Sequence, residues 1–319
     1  MRFLKMMLVG IMAVMLLTAC GNTFNEVNGN VEENVTADDT TSEETNSSDV
    51  EEVDAKEETE ATETLTADEV LAKSTEAMAA LSSYSMEMVS DQEISMEGED
   101  TIKMVTITST DMSLNPLAMY QVTSIEDADG MMGSMDNESY FSESGFFVYD
   151  PMAGQWFKMP DEFAGEIHSM SDMQTNPAEQ LEMLKAYSEN MTVSEEEDHY
   201  VLNFEGSGEQ FNEMVSMVGG MMGDDMGGMM EEMLSMMTVN KLSYVIHVDK
   251  ETFYQTRVLV NMDMEMDVEG EKVTSIQVMD STLSNFDEVG EITVPQEVID
   301  NAQDISMEDL EQMEETGSY

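Results

Sequence analysis

VNMDMEMDVEGEKV, residues 260–273, alternates apolar with acidic side chains through most of its length. The even positions are apolar, and they are Met262, Met264, Met266 and Val268. The odd positions between and after them are acidic, and they are Asp263, Glu265, Asp267 and Glu269. Because successive side chains of a β-strand point to opposite faces of its sheet, this stretch predicts a strand with one buried and one solvated face. The strand ends at a predicted turn around Gly270.

The same period of two recurs along much of the chain. One strand earlier it is carried by Leu242, Tyr244, Ile246 and Val248, and further runs lie at 86–94, 101–109, 117–126 and 137–143. GFFVYDPMAGQWFKMP, residues 145–160, predicts two strands joined at 150–154, where Pro151 and Gly154 supply the turn chemistry. Both faces of this hairpin are apolar, which predicts a central place in the sheet with cover on both sides.

Helices are predicted between the strands. Thr66 is the N-cap of the first helix. The apolar face of that helix comprises Val70, Leu71, Ala77, Met78 and Leu81. Asn176 and Pro177 begin a second helix that runs to about residue 190. The fold class is therefore α+β: a large curved antiparallel sheet whose apolar face is covered by a few helices.

MVSMVGGMMGDDMGGMMEEMLSMM, residues 214–237, is the most unusual segment of the chain. Methionines recur there at helical spacing, namely Met222, Met226, Met229, Met230, Met233, Met236 and Met237. Because glycines weaken a helix, two short helices at about 208–218 and 228–237 are predicted around a glycine-rich joint at 219–227. Methionine adapts to irregular apolar partners, so the segment is either packed core or a movable lid over an apolar cavity.

The N-terminus predicts the compartment. Two basic residues precede an apolar core at 8–17 that is too short to span a bilayer as a mature helix. LTAC, residues 17–20, resembles the lipobox of bacterial lipoproteins, and Cys20 is the only cysteine of the chain. Residues 1–19 are therefore predicted to be a lipoprotein signal peptide. Lipidated Cys20 is predicted to anchor the protein to the extracytoplasmic face of the cell membrane.

Residues 20–64 predict a disordered acidic linker, headed by the lipidated Cys20. They are rich in Glu, Asp, Thr, Asn and Ser, and such a composition cannot bury enough apolar surface to fold. A single α+β domain is predicted to follow at 65–319. The formal net charge of −58 repels nucleic acid and anionic head groups, so no nucleic-acid partner is predicted.

Several of these features occur together in a known family. The lipobox, the acidic spacer, a first helix ending in LSSYS, the YDPMAGQWFKMP hairpin and a closing EITVPQEVIDNAQDI follow one another in this order. Together they resemble a family of lipoproteins of unassigned function from low-GC Gram-positive bacteria, which looks like a relative of the LolA/LppX/LprG type of lipid-carrying fold. The resemblance implies a half-barrel whose helices fill its concave side, with an apolar cavity between.

Catalytic chemistry is absent from the sequence motifs, and neither an enzyme nor a cofactor is predicted. None of the nucleophile-elbow, P-loop, dinucleotide or zinc-protease motifs occurs. Among the histidines, His247 lies on the polar side of its strand and His199 in an acidic turn. A weaker alternative is a soft copper site formed by His168, Met170 and Met173, since imidazole and thioether ligands suit copper.

These observations predict a membrane-anchored binding lipoprotein that holds an acyl chain or another apolar ligand. The residues expected to line its site are Phe147, Tyr149, Trp156, Met221, Met222, Met226, Met229, Met230 and Met233. Two alternatives remain open, a methionine-rich protein that binds copper or buffers oxidants and a structural lipoprotein without a small ligand. The predicted partners are the membrane, through Cys20, and a lipid or other hydrophobic ligand.

Overall fold

The computed structural model describes most of the predicted domain. The described residues are 65–96, 100–127, 135–161, 177–185, 187–206, 208, 210, 237–268, 271–306 and 308–309. All of them belong to one compact unit. The predicted signal peptide, the lipidated Cys20 and the acidic linker lie outside the described residues.

Twelve strands are formed by the described residues. They are β1 Ser83–Met96, β2 Ile102–Leu114, β3 Leu117–Asp127, β4 Met135–Ser142, β5 Gly145–Asp150, β6 Gln155–Lys158, β7 Met191–Glu195, β8 His199–Gly206, β9 Met237–Asp249, β10 Gln255–Val268, β11 Glu271–Ser284 and β12 Gln303–Asp304. Their order in the sheet is β12-β6-β5-β4-β3-β2-β1-β11-β10-β9-β8-β7. Among the described strands β12 and β7 stand at the two ends, so the sheet is open.

The pairing is antiparallel throughout the long strands. Only the two-residue β12 runs parallel to its neighbour, β6, among the described pairs. The central pair, β1 and β11, joins parts of the chain far apart in sequence, with Gln92 opposite Gln277. The predicted α+β class and the large antiparallel sheet with few helices are therefore confirmed.

Helix α1, Ala67–Ala79, begins at the predicted N-cap. Thr66 Oγ1 accepts a hydrogen bond from the Glu69 backbone amide at 3.3 Å, and the Glu69 carboxylate accepts one from the Thr66 amide at 2.9 Å. This reciprocal arrangement satisfies amides that the first helical turn leaves without partners. The buried residues of α1 are Ala67, Val70, Leu71, Ser74 and Met78, one stripe at helical spacing.

Two further helices complete the described fold. Helix α2, Pro177–Lys185, packs on α1 and buries Ala178 and Leu181. It is shorter than predicted: the chain passes into a 3-10 turn at Ser188–Asn190, where serine and asparagine favour a helix less than the preceding leucines do. Helix α3, Gln296–Asn301, lies near β6.

The two faces of the sheet are defined here by α1. The inner face is the one that α1 contacts, where the Gln255 amide at the start of β10 donates to Met78 Sδ at 3.4 Å. It carries Met262, Met264 and Ile246, which are buried in one cluster with the α1 stripe. The outer face is the opposite one. Side chains directly opposite each other on paired strands share a face, so the strand register assigns every described strand residue to one of the two.

The predicted strand at 260–268 is confirmed as the second half of β10. Met262, Met264 and Met266 are buried on the inner face, and in β9 Leu242, Ile246 and Val248 are buried beside them. Met237, predicted to end a helix, is instead the first residue of β9 and is buried opposite Met266. Pairing with β10 gives this methionine both ladder hydrogen bonds and an apolar neighbour, which outweighs its helical spacing.

The predicted hairpin at 145–160 is confirmed as β5 and β6, but its predicted central place is wrong. The pair lies near one end of the sheet, where β6 is followed only by β12. Its second apolar face is covered by α3: Phe147 is buried on the outer face with Val294 and Val298. Local cover by a short helix therefore explains the two apolar faces without a central position.

Candidate ligand-binding face

One half of the inner face is an apolar wall rich in methionine. It is formed by β7 to β10, and its most deeply buried members are Leu202, Leu242, Ile246, Val248, Met262 and Met264. Met264 has no exposed surface at all. Thioether side chains are flexible and polarizable, so such a wall can contact apolar partners of varied shape.

The other half of the inner face carries a band of uncharged polar side chains, which we call the polar track. The track crosses β11, β1, β2 and β3 and comprises Ser275, Gln277, Ser90, Gln92, Thr106, Thr108, Thr110, Gln121 and Thr123. Most of its members are buried. Neutral polar groups in a protein interior are normally hydrogen-bonded, because burial without a partner is costly.

Hydrogen bonds within the track connect neighbouring strands. Gln277 Nε2 donates to Ser90 Oγ at 3.1 Å, and Gln92 Nε2 donates to Ser275 Oγ at 3.2 Å. These two bonds cross between β1 and β11, and they hold both amide side chains in place. Between β2 and β3, the hydroxyls of Thr108 and Thr123 share a hydrogen bond at 3.3 Å, and within β3 Gln121 Nε2 donates to Thr123 Oγ1 at 3.0 Å. The polar track is therefore an ordered network and not a set of independent surface groups.

Four buried side-chain oxygen atoms have no hydrogen-bond partner among the described residues. Two belong to the track, Gln277 Oε1 and Thr110 Oγ1, and two belong to α1, Ser74 Oγ and Thr75 Oγ1. Gln277 is 1% exposed and Thr110 is 4% exposed. Each such atom forgoes a hydrogen bond that water would give it in the unfolded chain, at a cost of roughly 1–3 kcal/mol.

The middle of the inner face has no charged side chains among the described strand residues. The basic residues of the described strands all lie on the outer face by register, and they are Lys103, Lys158, Lys241, Arg257 and Lys272. Acidic residues that the register assigns to the inner face, such as Asp150 and Glu195, lie at strand ends. The described inner face therefore offers hydrogen bonds and apolar contacts but no cation for an anionic head group.

The outer face has the opposite chemistry. Arg257 forms a two-pronged pair with Asp280, through Nε at 2.8 Å and Nη2 at 2.5 Å, which lowers the pKa of the Asp280 carboxyl. His247 lies beside this pair with its ring centroid 6.0 Å from that of His199. Burial lowers the pKa of His247, and Glu196 opposes that shift. Around β8 to β11 the outer face is thus solvated and ion-paired.

The predicted aromatic site residues also lie on the outer face. Phe147 is buried under α3, and Tyr149 and Trp156 are half-buried beside it, with their ring centroids 5.5 Å apart. The aromatic row continues to Tyr140, whose ring stacks on Tyr120 at 4.6 Å. Burial and the Glu138 carboxylate raise the pKa of Tyr120 to about 12. Phe147, Tyr140 and Trp156 therefore share a cluster with Val294 and Val298 on the face opposite the methionine wall.

The remaining predicted site residues lie outside the described residues. These are Cys20, the six methionines of the glycine-rich segment (Met221, Met222, Met226, Met229, Met230 and Met233) and the weak copper set of His168, Met170 and Met173. Their roles stay predictions. Within the described part of the chain, no group of three or more His, Cys, Asp or Glu side chains is placed to hold a metal ion. No described helix is both long and apolar enough to cross a membrane.

The polar track was not predicted from the sequence, although a signal for it exists. In β1, Ser90 and Gln92 occupy the same alternate positions as Met88 and Ile94, so the apolar phase of the strand already assigns them to the inner face. Gln277 shares its phase with Val273 in the same way. The alternation at 86–94 thus groups Ser90 and Gln92 with the apolar residues, but it does not show which side chains bond across strands.

Comparison with known families and structures gives one family match. The model of DUF6612, a family of unknown function, matches residues 66–303. No curated protein matches the sequence.

Three solved structures resemble the chain at low identity. A DUF1329 family protein from Desulfovibrio piger is 12% identical, covering 71% of this chain and 93% of that one, with a TM-score of 0.24. A LolA superfamily protein from Nitrosomonas europaea is 11% identical, covering 74% and 97%, with a TM-score of 0.20. A beta-barrel-like protein of the domain of unknown function DUF1849 from Brucella abortus is 8% identical, covering 64% and 99%, with a TM-score of 0.20. One of these three structures is a LolA superfamily protein, and all three TM-scores are too low to carry an argument about fold or ligand.

Proposed function

The chain belongs to the DUF6612 family, and we propose that it binds an apolar ligand on the inner face of its sheet. One observation carries this proposal: the inner face combines a methionine-rich wall with buried polar atoms that lack partners among the described residues. A core that served packing alone would gain stability from apolar residues at these positions. A binding face keeps such groups because the ligand supplies their partners.

Membrane anchoring through Cys20 is part of the same proposal. The lipobox at 17–20 and the acidic segment behind it support an extracytoplasmic lipoprotein that presents its domain at the membrane surface. The proposal assigns no catalytic step and no cofactor to the chain. Metabolic labelling with a radioactive fatty acid tests it: the wild-type chain should incorporate label and the Cys20→Ser variant should not. Equal labelling of the two would refute anchoring at Cys20.

Ligand binding is tested by mapping where an apolar probe reacts. The full chain would be mixed with a long-chain alcohol that bears a photoreactive diazirine, delivered from cyclodextrin, and irradiated. Mass spectrometry of peptides should find saturable labelling on inner-face residues of β9 to β11, such as Met262 and Met279. Labelling confined to outer-face residues, or labelling that an excess of unlabelled alcohol does not reduce, would contradict the proposal.

A further inference from the structure

The four track residues nearest the β1–β11 pair form a polar subsite within the inner face. Gln92 and Gln277 lie directly opposite each other, with Ser90 and Ser275 at the adjoining inner-face positions of the same two strands. Each glutamine donates its amide N–H to the serine of the other strand. Because one such bond holds each amide nitrogen, the orientation of the two side chains is fixed before any ligand arrives.

Gln277 Oε1 accepts no hydrogen bond in this arrangement. It is buried and has no donor within reach among the described residues. Its inner-face neighbour on β10 is Met262, which offers no N–H or O–H group. Thr110 Oγ1 repeats the situation two strands away, between Met86 and Gln121. Met86 and Gln92, their partners on β1, are six residues apart, so Thr110 lies about 20 Å from Gln277 along the sheet. A ligand hydroxyl at this subsite can therefore donate to Gln277 Oε1.

We infer that this subsite binds the uncharged, hydrogen-bonding group of a lipid, a hydroxyl or an amide, and discriminates against a carboxylate or phosphate. This inference rests on the proposed function and names its ligand class. A carboxylate only accepts hydrogen bonds, so it offers Gln277 Oε1 nothing and places a charge beside another acceptor. No basic side chain of the described strands reaches this face to compensate it. Burying an unpaired anion there is strongly unfavourable.

Three ligands with the same alkyl chain test the inference: a monoacylglycerol, the matching fatty acid and the matching alkane. Each would be radiolabelled and its partition between cyclodextrin and the full chain measured at a pH where the acid is ionised. The monoacylglycerol should bind about tenfold more tightly than either of the others, since a site built to hydrogen-bond a group rejects analogues that lack it. Equal binding of all three overturns the inference and leaves the proposed function standing, whereas no binding of any overturns both.

Two apolar variants at Gln277 localise the preference. In Gln277→Met the monoacylglycerol should lose about tenfold in affinity while the alkane loses nothing, because only the hydrogen-bonding group is removed. Gln277→Leu should reduce the same preference, and it keeps the test open if Gln277→Met does not fold. The matched control is Val278→Thr, on the outer face of the same strand as Gln277. If both inner-face variants keep the wild-type preference, water and not a ligand satisfies Gln277 Oε1, and the inference is wrong.

Discussion

The two faces of this sheet are built from the same strands and have opposite chemistry. On β10, Met264 faces the α1 stripe with no exposed surface, while the adjacent Glu265 faces solvent and pairs with Lys272 at 2.5 Å. The outer face meets its charges with ion pairs, whereas the inner face contains buried polar atoms without partners. This contrast is the basis of our proposal that the inner face binds a ligand. Four tests, from the largest expected effect to the smallest, show how far this difference extends.

Exchanging an apolar and an acidic side chain at neighbouring positions of β10 should have the largest effect on the free energy of unfolding. Met264→Glu places an unpaired carboxylate in the inner face and should lower the free energy of unfolding by about 4 kcal/mol or more. The matched Glu265→Met variant removes only a surface ion pair and should change it by less than about 1 kcal/mol. Urea unfolding of the full chain, followed by circular dichroism, measures both. Similar losses in the two variants would mean that the faces do not differ as described.

Truncating an apolar side chain of α1 should cause the second-largest loss in the free energy of unfolding. Leu71 is 0% exposed within the inner cluster, so Leu71→Ala should cost about 3 kcal/mol through lost burial and the space left behind. Ile276 is 45% exposed on the outer face, and Ile276→Ala should cost no more than about 1 kcal/mol. The same urea titration compares them. A larger loss for Ile276→Ala would show that the outer face is also covered.

A smaller gain is expected where α1 buries an unpartnered hydroxyl. Ser74→Ala should raise the free energy of unfolding by about 1 kcal/mol, because alanine favours a helix more and no buried oxygen is left unsatisfied. Ser109→Ala, at an exposed outer-face position of β2, should bring no gain. Thermal unfolding resolves a difference of this size. Destabilisation by Ser74→Ala would show that its hydroxyl has a partner in the folded chain.

The smallest effect concerns pH and the outer face. Burial lowers the pKa of folded His247, so the unfolded chain takes up a proton more readily. The contribution of His247 to stability is complete above the ordinary histidine pKa of about 6.5 and is lost as the pH falls below it. His247→Gln should therefore flatten the decline of stability on that acidic side and leave stability at pH about 8 nearly unchanged. A decline of equal slope in the variant would assign the effect to other groups.

Local structure could largely be predicted from the sequence because it depends on neighbouring residues. Alternation located β9 and β10, and the Thr66 cap located the start of α1. The order of the strands could not be predicted in this way. β1 pairs with β11, which lies almost at the other end of the domain sequence. The alternation of residues within a strand does not specify its neighbour in the sheet. The hairpin containing Phe147 was placed wrongly for a related reason, since its cover comes from α3, about 150 residues later.

The candidate site was predicted less well than the fold. The predicted aromatics proved to lie on the outer face, because apolarity alone does not say which face a residue occupies. The polar track was passed over because serine, threonine and glutamine usually face solvent. Only the strand register shows that Gln277 lies between Gln92 and Met262.

Methionine methyl resonances test the central claim most directly, because the chain has methionines on the inner wall and at exposed sites. The full chain would be isotopically labelled at its methionine methyl groups and titrated with a monoacylglycerol, with assignments from single Met→Leu variants. Met262, Met264 and Met279 should shift saturably, while Met152, 78% exposed in the β5–β6 turn, should not. Shifts confined to Met152, or no shifts at saturating ligand, would contradict a binding face on the inner side of the sheet.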